Sequence, residues 1–313
     1  MDPVLQTLLR NQGEFVSGMR ISEEVGLSRT AVWKHVQSLI EEGYGIDCIK
    51  KKGYRLHTLP ENRWIVEKLS LLCHYPVEWF YKPEVDSTNL WAKEVMVRHE
   101  KPSVFFTDKQ YAGRGRLGRQ WESETGKDIA FSLAVPLNTD VCHYYQYTIM
   151  MALAVYRVLL PIVNTTTHIK WPNDIYIQGK KVCGILSEML TEENRLRTLI
   201  LGVGINVNSS PSLPHALSLK SLTGKEFDRH IILSEILNGF FDLLHQYGCG
   251  DFASIYEAWR NALMGLGQKV RIDTGQKVIE GTFIDINEQG IAIIQTDQSI
   301  EKVYSGDLFL SKS

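Results

Sequence analysis

The sequence predicts a multi-domain α+β protein: a winged helix-turn-helix in front, a strand-rich α+β centre, and a small β-barrel at the end. Three observations carry this. Residues 1–57 read as helix, helix, glycine turn, capped helix and hairpin. The middle of the chain is rich in strands, has few helices, and lacks the regular strand–helix alternation of a doubly wound sheet. From Gly267 onward, short alternating runs are punctuated by glycines. The 313 residues suffice for two or three domains, and 44% hydrophobic with 22% charged content lets each build a core.

The first block is amphipathic from its start. Val4, Leu5, Leu8 and Leu9 recur at helical spacing. A second short helix covers Ile21–Val25, and Gly26 is placed to stop it. Ser28 then stands at an N-cap before RTAVWKHVQSLIEEG, whose apolar face is Val32, Val36, Leu39 and Ile40. Arg29, Thr30, Lys34, His35 and Gln37 are left facing out. Residues 45–50 and 53–57 make a hairpin with Lys51, Lys52 and Gly53 at its tip, the wing of a winged helix. The net charge of −2 gives no overall attraction to nucleic acid, so DNA contact needs a local patch. Up to His57 there are eight Lys and Arg against seven Asp and Glu. The positive residues cluster at Lys50, Lys51, Lys52 and Arg55. Ser28, Arg29, Thr30, Trp33, Lys34, His35, Lys50, Lys51 and Lys52 are therefore the candidate DNA contacts. The competing use of such a domain is protein contact.

Pro60 marks a boundary, and RWIVEKLSLLC (63–73) is a short helix of the linker or of the next domain. Residues 77–85 read as a strand, followed by Asp86, Ser87, Thr88 and Asn89, which suit a cap for a helix from Leu90. Strands at 103–107 and 128–135 flank QYAGRGRLGRQW (110–121). Its glycines permit close backbone approach to a ligand, and its arginines offer planar forks suited to carboxylate and phosphate. That describes a mobile anion-binding loop; the alternatives are a plain basic loop or an RNA-binding arginine-glycine tract. A long apolar helix, Tyr144 to Leu160, is expected in the core. Strands follow at 167–190 and 197–208, and Gly267 opens a barrel of about five strands.

Five scattered cysteines without CxxC spacing argue against a zinc site and a disulfide framework. No signal peptide is read, and the longest apolar run, 149–163, reads as a buried helix; a cytoplasmic protein without membrane contact is expected.

DSTN (86–89), QYAGRGRLGRQW (110–121), KWPNDIYIQGKKVCGIL (170–186) and GVGINVN (202–208) occur in that order. The set resembles the biotin–protein ligases, and the winged helix in front resembles their bifunctional type, which also represses the biotin operon. The resemblance implies a catalytic fold like that of class II aminoacyl-tRNA synthetases at 61–266, an SH3-like barrel at 267–313, and a DNA-binding domain at 1–60. It implies ATP with Mg2+, biotin, and biotinyl-5′-AMP as a held intermediate and co-repressor. The implied partners are a biotin carboxyl carrier protein of acetyl-CoA carboxylase or a related carboxylase, operator DNA, and a second copy in a ligand-promoted homodimer.

By similarity, Lys181 and Arg116 meet the biotin carboxylate and phosphates, with Lys170 and Asp174 beside the phosphates or metal. Ser87, Thr88, Asn89, Gln110, Gly113, Arg114, Gly115 and Gly184 belong to the biotin site. Arg119, Trp121, Asn173 and Asn206 join Arg116 and Lys181 around the nucleotide. Dedicated metal ligands are not identified. The rival readings are a lipoate or octanoate ligase, and a non-enzymatic biotin-sensing regulator.

Overall fold

The structure is a computed structural model that describes residues 1–193 and 195–310. The Leu117 side chain and the last three positions of the expected barrel, 311–313, lie outside the described residues. The chain divides into two compact units, Met1–His74 and Tyr75–Ser313.

The first unit holds α1 (Pro3–Arg10), α2 (Gly18–Val25), α3 (Arg29–Glu41), β1 (Gly45–Ile49), β2 (Gly53–Thr58) and α4 (Val66–Leu72). Its core gathers Val4, Leu5, Leu8, Ile21, Val32, Val36, Leu39, Leu56 and Ile65. Asp2 caps α1 by accepting from the Val4 and Leu5 N–H groups, and its other oxygen meets His35 Nδ1 at 2.9 Å. Ser28 caps α3, accepting from Ala31 N–H. Gly26 ends α2 in the left-handed region, as its position predicts. The hairpin β1–β2 is antiparallel, and Val16 bridges to Tyr54 beside it.

Three expectations need correction here. Ile40 is exposed, because one helical stripe of Val32, Val36 and Leu39 already fills the core side of α3. His35 does not stand free on the outer face; the Asp2 carboxylate holds it. Residues 61–74 go with the first unit rather than opening the second. Leu69 of α4 is fully buried, and Glu67 accepts from the Asp2 N–H at 2.8 Å.

The second unit is built on a seven-stranded sheet of β3 (Glu78–Val85), β4 (Ser103–Gln110), β5 (Ile129–Asp140), β6 (Thr167–Lys170), β7 (Asp174–Ile177), β8 (Lys180–Glu192) and β9 (Arg195–Ile205). The order is β3-β4-β5-β9-β8-β7-β6. Only β3 and β4 run parallel, joined through α5 (Thr88–Met96); every other pairing is antiparallel. α6 (Tyr144–Val163) lies on β6–β9, backed by α8 (Arg229–Gly248) and α9 (Phe252–Asn261), with α7 (Leu219–Thr223) between β9 and α8. The stretch 141–163 is long and apolar enough to cross a membrane by length and composition, beyond the shorter run read from sequence. Its burial against the sheet and two helices accounts for that composition.

The five expected terminal strands are β10 (Lys269–Asp273), β11 (Val278–Ile286), β12 (Ala292–Gln295), β13 (Ile300–Val303) and β14 (Asp307–Leu310), paired antiparallel in the order β13-β12-β11-β10-β14. They dock through polar contacts with the larger sheet's unit. Trp171 Nε1 donates to Gly290 O at 2.8 Å, and Arg260 Nε donates to Asp285 Oδ1 at 2.8 Å.

Candidate functional site

A cavity of about 960 Å³ opens where the N-terminus of α5, the segment 114–124, strands β6–β9 and β14 converge. Part of its lining is apolar with polar groups beside it. Phe131, Ile185, Leu186 and Val203 form its walls, while Ser87, Thr88, Asn89 and Gln110 supply hydroxyls and amides. Ser87 occupies the N-cap position of α5 but makes no side-chain cap bond, so its buried hydroxyl is not spent on the helix. Thr88 N–H donates to Gln110 Oε1 at 2.9 Å. Asn89 Nδ2 donates to Leu186 O at 3.2 Å and to Glu188 Oε2 at 2.8 Å. Behind them Ser132 Oγ, fully buried, lies 2.7 Å from Thr88 Oγ1 and 2.6 Å from Asn89 Oδ1. Ser132 is absent from the sequence-derived set. Its only signal was a hydroxyl within the apolar run of β5.

The lining also carries a cationic cluster. Arg114, Arg116, Arg119, Lys170 and Lys181 form it, opposed by Asp174 and Asp307. Lys181 follows the β7–β8 turn, and its main chain is bonded on both sides, N–H to His215 O and O from Leu217 N–H, each at 2.9 Å. Its ammonium pairs with Asp174 at 2.7 Å. Lys170 Nζ donates to Tyr176 Oη at 3.2 Å and lies over the Tyr176 and Phe309 rings. Burial lowers the pKa of Lys170, offset in part by Asp174 and Asp307. Burial likewise pushes the Tyr176 phenol up to about 12.

The glycine-arginine segment folds on itself: Gly115 N–H donates to Arg119 O at 2.7 Å, and Trp121 N–H donates to Gly113 O at 2.9 Å. A side chain at Gly113 would meet Trp121 O at 2.4 Å, so this turn requires glycine. Arg116 Nη1 donates to Asn173 Oδ1 at 3.3 Å, and Arg119 makes a two-pronged bond to the Asp307 carboxylate. Arg114 is exposed and its backbone bridges to Gln120. Trp121 packs against Gly204 and Gly184 of neighbouring strands: a Cβ at Gly204 would sit 2.3 Å from its ring. Its indole Nε1 is buried against Gly204 without a hydrogen-bond partner.

Of the sequence-derived residues, Ser87, Thr88, Asn89, Gln110, Arg114, Gly115, Arg116, Arg119, Trp121, Lys170, Asp174, Lys181, Gly184 and Asn206 all line this one cavity. Gly113 and Asn173 do not. Asn173 is buried with its amide engaged on both sides, by Arg116 and by Ile185 O, so it braces the arginine rather than facing the cavity. The sequence-derived set also lacks Tyr176, Asp307, Phe309 and the rim at 209–213. Among the described residues no group of three His, Cys, Asp or Glu is placed to hold a metal ion.

A family model for the biotin/lipoate A/B protein ligases matches residues 81–206. An HTH domain model matches 3–55, and a biotin protein ligase C terminal domain model matches 265–311. The chain is 34% identical to the bifunctional ligase/repressor BirA of Bacillus subtilis (strain 168), over 95% of this chain and 94% of the relative. It is 27% identical to the protein of the same name from Escherichia coli (strain K12), over 98% of this chain and 96% of the relative. Among solved structures, the biotin protein ligase from Aquifex aeolicus in complex with biotin and ATP matches with a TM-score of 0.63 at 31% identity, covering 75% of this chain and 99% of that one. With a winged helix, a ligase sheet and a terminal five-stranded domain in one order, the chain belongs to the bifunctional biotin ligase/repressor family.

Proposed function

We propose that the protein is an ATP-dependent biotin–protein ligase that also represses transcription in response to biotin. The observation that carries this is one cavity lined both by apolar residues with hydroxyl and amide groups beside them and by five cations. Biotin pairs a neutral bicyclic ring with a carboxylate, and ATP brings phosphates. Their mutual repulsion is what a preorganised cationic wall overcomes.

In the first step a biotin carboxylate oxygen attacks the α-phosphorus. A new acyl–O–P bond forms, the bond to the β-phosphate oxygen breaks, and pyrophosphate leaves. Lys181 and Arg116 flank the reacting oxygens, with Lys170 and Arg119 toward the leaving phosphates. Mg2+ enters as part of the ATP complex. Asp174 holds Lys181 in place beside the phosphates. Trp121 offers a ring face to the nucleotide, and Asn206 closes that side. Thr88 and Gln110 receive the ureido ring, with Ser87, Asn89, Gly113, Arg114, Gly115 and Gly184 shaping the rest. In the second step a carrier lysine amine attacks the acyl carbon, AMP leaves, and the amine loses a proton.

The partners we assign are a biotin carboxyl carrier protein, operator DNA and a second copy of the chain, in the cytoplasm and away from membranes. Retained biotinyl-5′-AMP orders the arginine segment and favours the homodimer, whose two winged helices read two half-sites. Exposed Arg29, Thr30, Trp33, Lys34, Lys50, Lys51 and Lys52 are the proposed contacts, while Ser28 and His35 hold the helix that presents them. The functional domains are drawn at 1–60 for DNA binding, 267–313 for the terminal barrel and the part of the second unit up to residue 266 for catalysis, with 61–74 packed in the first unit.

The test is incubation with biotin, Mg-ATP and a carrier domain, followed by mass measurement of the carrier. One added biotinyl group is expected, with pyrophosphate released. Neither product, or equal turnover of lipoate, overturns the assignment.

A further inference from the structure

The stretch that leaves Trp121 is fastened at its far end. Asp128 stands just before β5, and its side chain is buried. Its Oδ2 accepts from the Glu124 N–H at 2.8 Å, and its Oδ1 accepts from the Val207 N–H at 2.9 Å. Glu124 belongs to the stretch that follows Trp121, and Val207 comes directly after Asn206. The turn 124–128 is also closed by its own main chain, since the Lys127 and Asp128 N–H groups both reach Glu124 O. A main-chain bond crosses beside the carboxylate, from Asn208 N–H to Lys127 O at 3.1 Å. Arg229, itself buried, holds the same point. Its Nη1 donates to Asp128 O at 3.1 Å and its Nη2 to Asp108 Oδ1 at 3.3 Å. An amide could not replace the carboxylate here. Asparagine has one acceptor oxygen and would turn its NH2 toward one of the two N–H groups. Burial pushes the Asp128 pKa up, and the bonds from Glu124 and Val207 pull it back in part. A buried charge is thus kept, at a cost, where two donors from distant stretches of chain converge.

We infer that Asp128 is a positioning residue whose carboxylate pins the stretch after Trp121 to the end of β9, and so sets Trp121 relative to Asn206. It acts through those two side chains. The inference rests on the ligase reading above, in which they flank the nucleotide. It adds where the glycine-arginine segment is anchored: the arginines can move, while the base from which they move is held by two N–H groups on one buried carboxylate. A donor left facing another donor in a buried site is costly, so loss of the second acceptor oxygen should displace one of the two stretches.

The experiment uses the full-length protein labelled with fluorotryptophan and observed by fluorine NMR without ligands. The chain has seven tryptophans, and the Trp121 line is the one missing from Trp121→Phe. In Asp128→Asn the Trp121 line is expected to shift or broaden while the other lines stay. The KM for ATP, read by pyrophosphate release, is expected to rise about tenfold, with the KM for biotin within about twofold of wild type. Adding Glu124→Pro removes the N–H that the new amide would face, so the asparagine oxygen has only Val207 to serve. In that double variant the Trp121 line and the KM for ATP are expected to return most of the way. A single variant that fails to fold while the double variant folds shows the same clash. A folded Asp128→Asn with the wild-type Trp121 line, or a double variant no better than the single one, overturns the pin and leaves the ligase assignment intact. A general loss of packing would move many tryptophan lines and would not be reversed by proline. A wild type that releases no pyrophosphate overturns the ligase reading, and the fluorine lines still decide whether Asp128 holds Trp121.

Discussion

The two cationic sides of the cavity are held in different ways. On the sheet side, Lys181 and Lys170 sit on paired strands, with a bulge beside Lys181, and Lys181 has main-chain bonds to His215 and Leu217. On the other side, Arg116 and Arg119 ride a segment tied down by side-chain contacts, Arg116 to Asn173 and Arg119 to Asp307, and by two turns of its own backbone. Strand-held charge costs no reorganisation when a transition state forms. Tether-held charge can leave and return, which suits a cover over a reactive intermediate. The chemistry should therefore depend on the sheet side, and retention of the adenylate on the tethered side.

The largest effect expected is from Lys181→Ala. Removing a fixed cation from a site where two anions meet should lower adenylate formation by about a thousandfold. Pyrophosphate release is the measurement, and near-normal turnover would take Lys181 out of the mechanism. Arg116→Gly should act on the other side. Adenylate should still form, but its escape should quicken about tenfold to a hundredfold, as one charge-assisted contact of the cover is lost. Trapping of released biotinyl-AMP, and labelling of bystander lysines, reads this directly. Unchanged release alongside a large fall in formation would place Arg116 with the fixed wall instead.

Much of this contrast was legible beforehand. The strands of the large sheet announce themselves by alternation and β-branched runs, and the start of α3 by Ser28, a side-chain cap in the structure. The glycine-arginine segment was visible because no structural role requires that composition. What escaped depends on contacts far apart in sequence. Asp307 reaches Arg119 across 188 positions, and nothing near Asp307 marks it. Ser132 is one hydroxyl among apolar neighbours, meaningful only once β5 lies against α5. His35 was read as outward-facing because helical position sets direction, whereas the Asp2 carboxylate sets its final rotamer; Asn173 was read as a nucleotide contact, whereas Arg116 and Ile185 O engage its amide. α4 is too short for its seven residues to declare which unit they serve; packing on α1 decides it.

Lys170 allows the sheet side to be probed by pH. Burial depresses its folded-state pKa below the ordinary lysine value of 10.5, so in the window between the two the unfolded chain binds more protons. Stability contributed by this group therefore rises with pH through that window, and the buried charge is a cost below it. Phosphate binding should behave the opposite way. As pH climbs past the depressed value, Lys170 loses its charge and the KM for ATP should rise by a few-fold, roughly 1 kcal/mol for one charge-assisted contact. Lys170→Arg should abolish that alkaline rise, since guanidinium keeps its proton. An unchanged profile in the arginine variant would assign the effect to another group.

The smallest expected effect tests the tether from the terminal domain. Asp307 bonds Arg119 through both carboxylate oxygens, but Arg119 is 64% exposed at its side chain, so water and salt compete for it. An exposed pair of this kind is worth about 0.2–1 kcal/mol, which as a closing equilibrium is a change of about 1.4-fold to fivefold. Asp307→Asn should thus raise adenylate escape by that modest factor, and Arg119→Ala should do more, because it also removes a cation from the phosphates. The two effects should not add, since both variants break the same bond. High salt should shrink the Asp307 effect toward nothing while leaving the Lys181 defect almost intact. If instead salt erased both equally, the supposed difference between strand-held and tethered charge would vanish, and the cavity would be better described as one uniformly screened cationic surface.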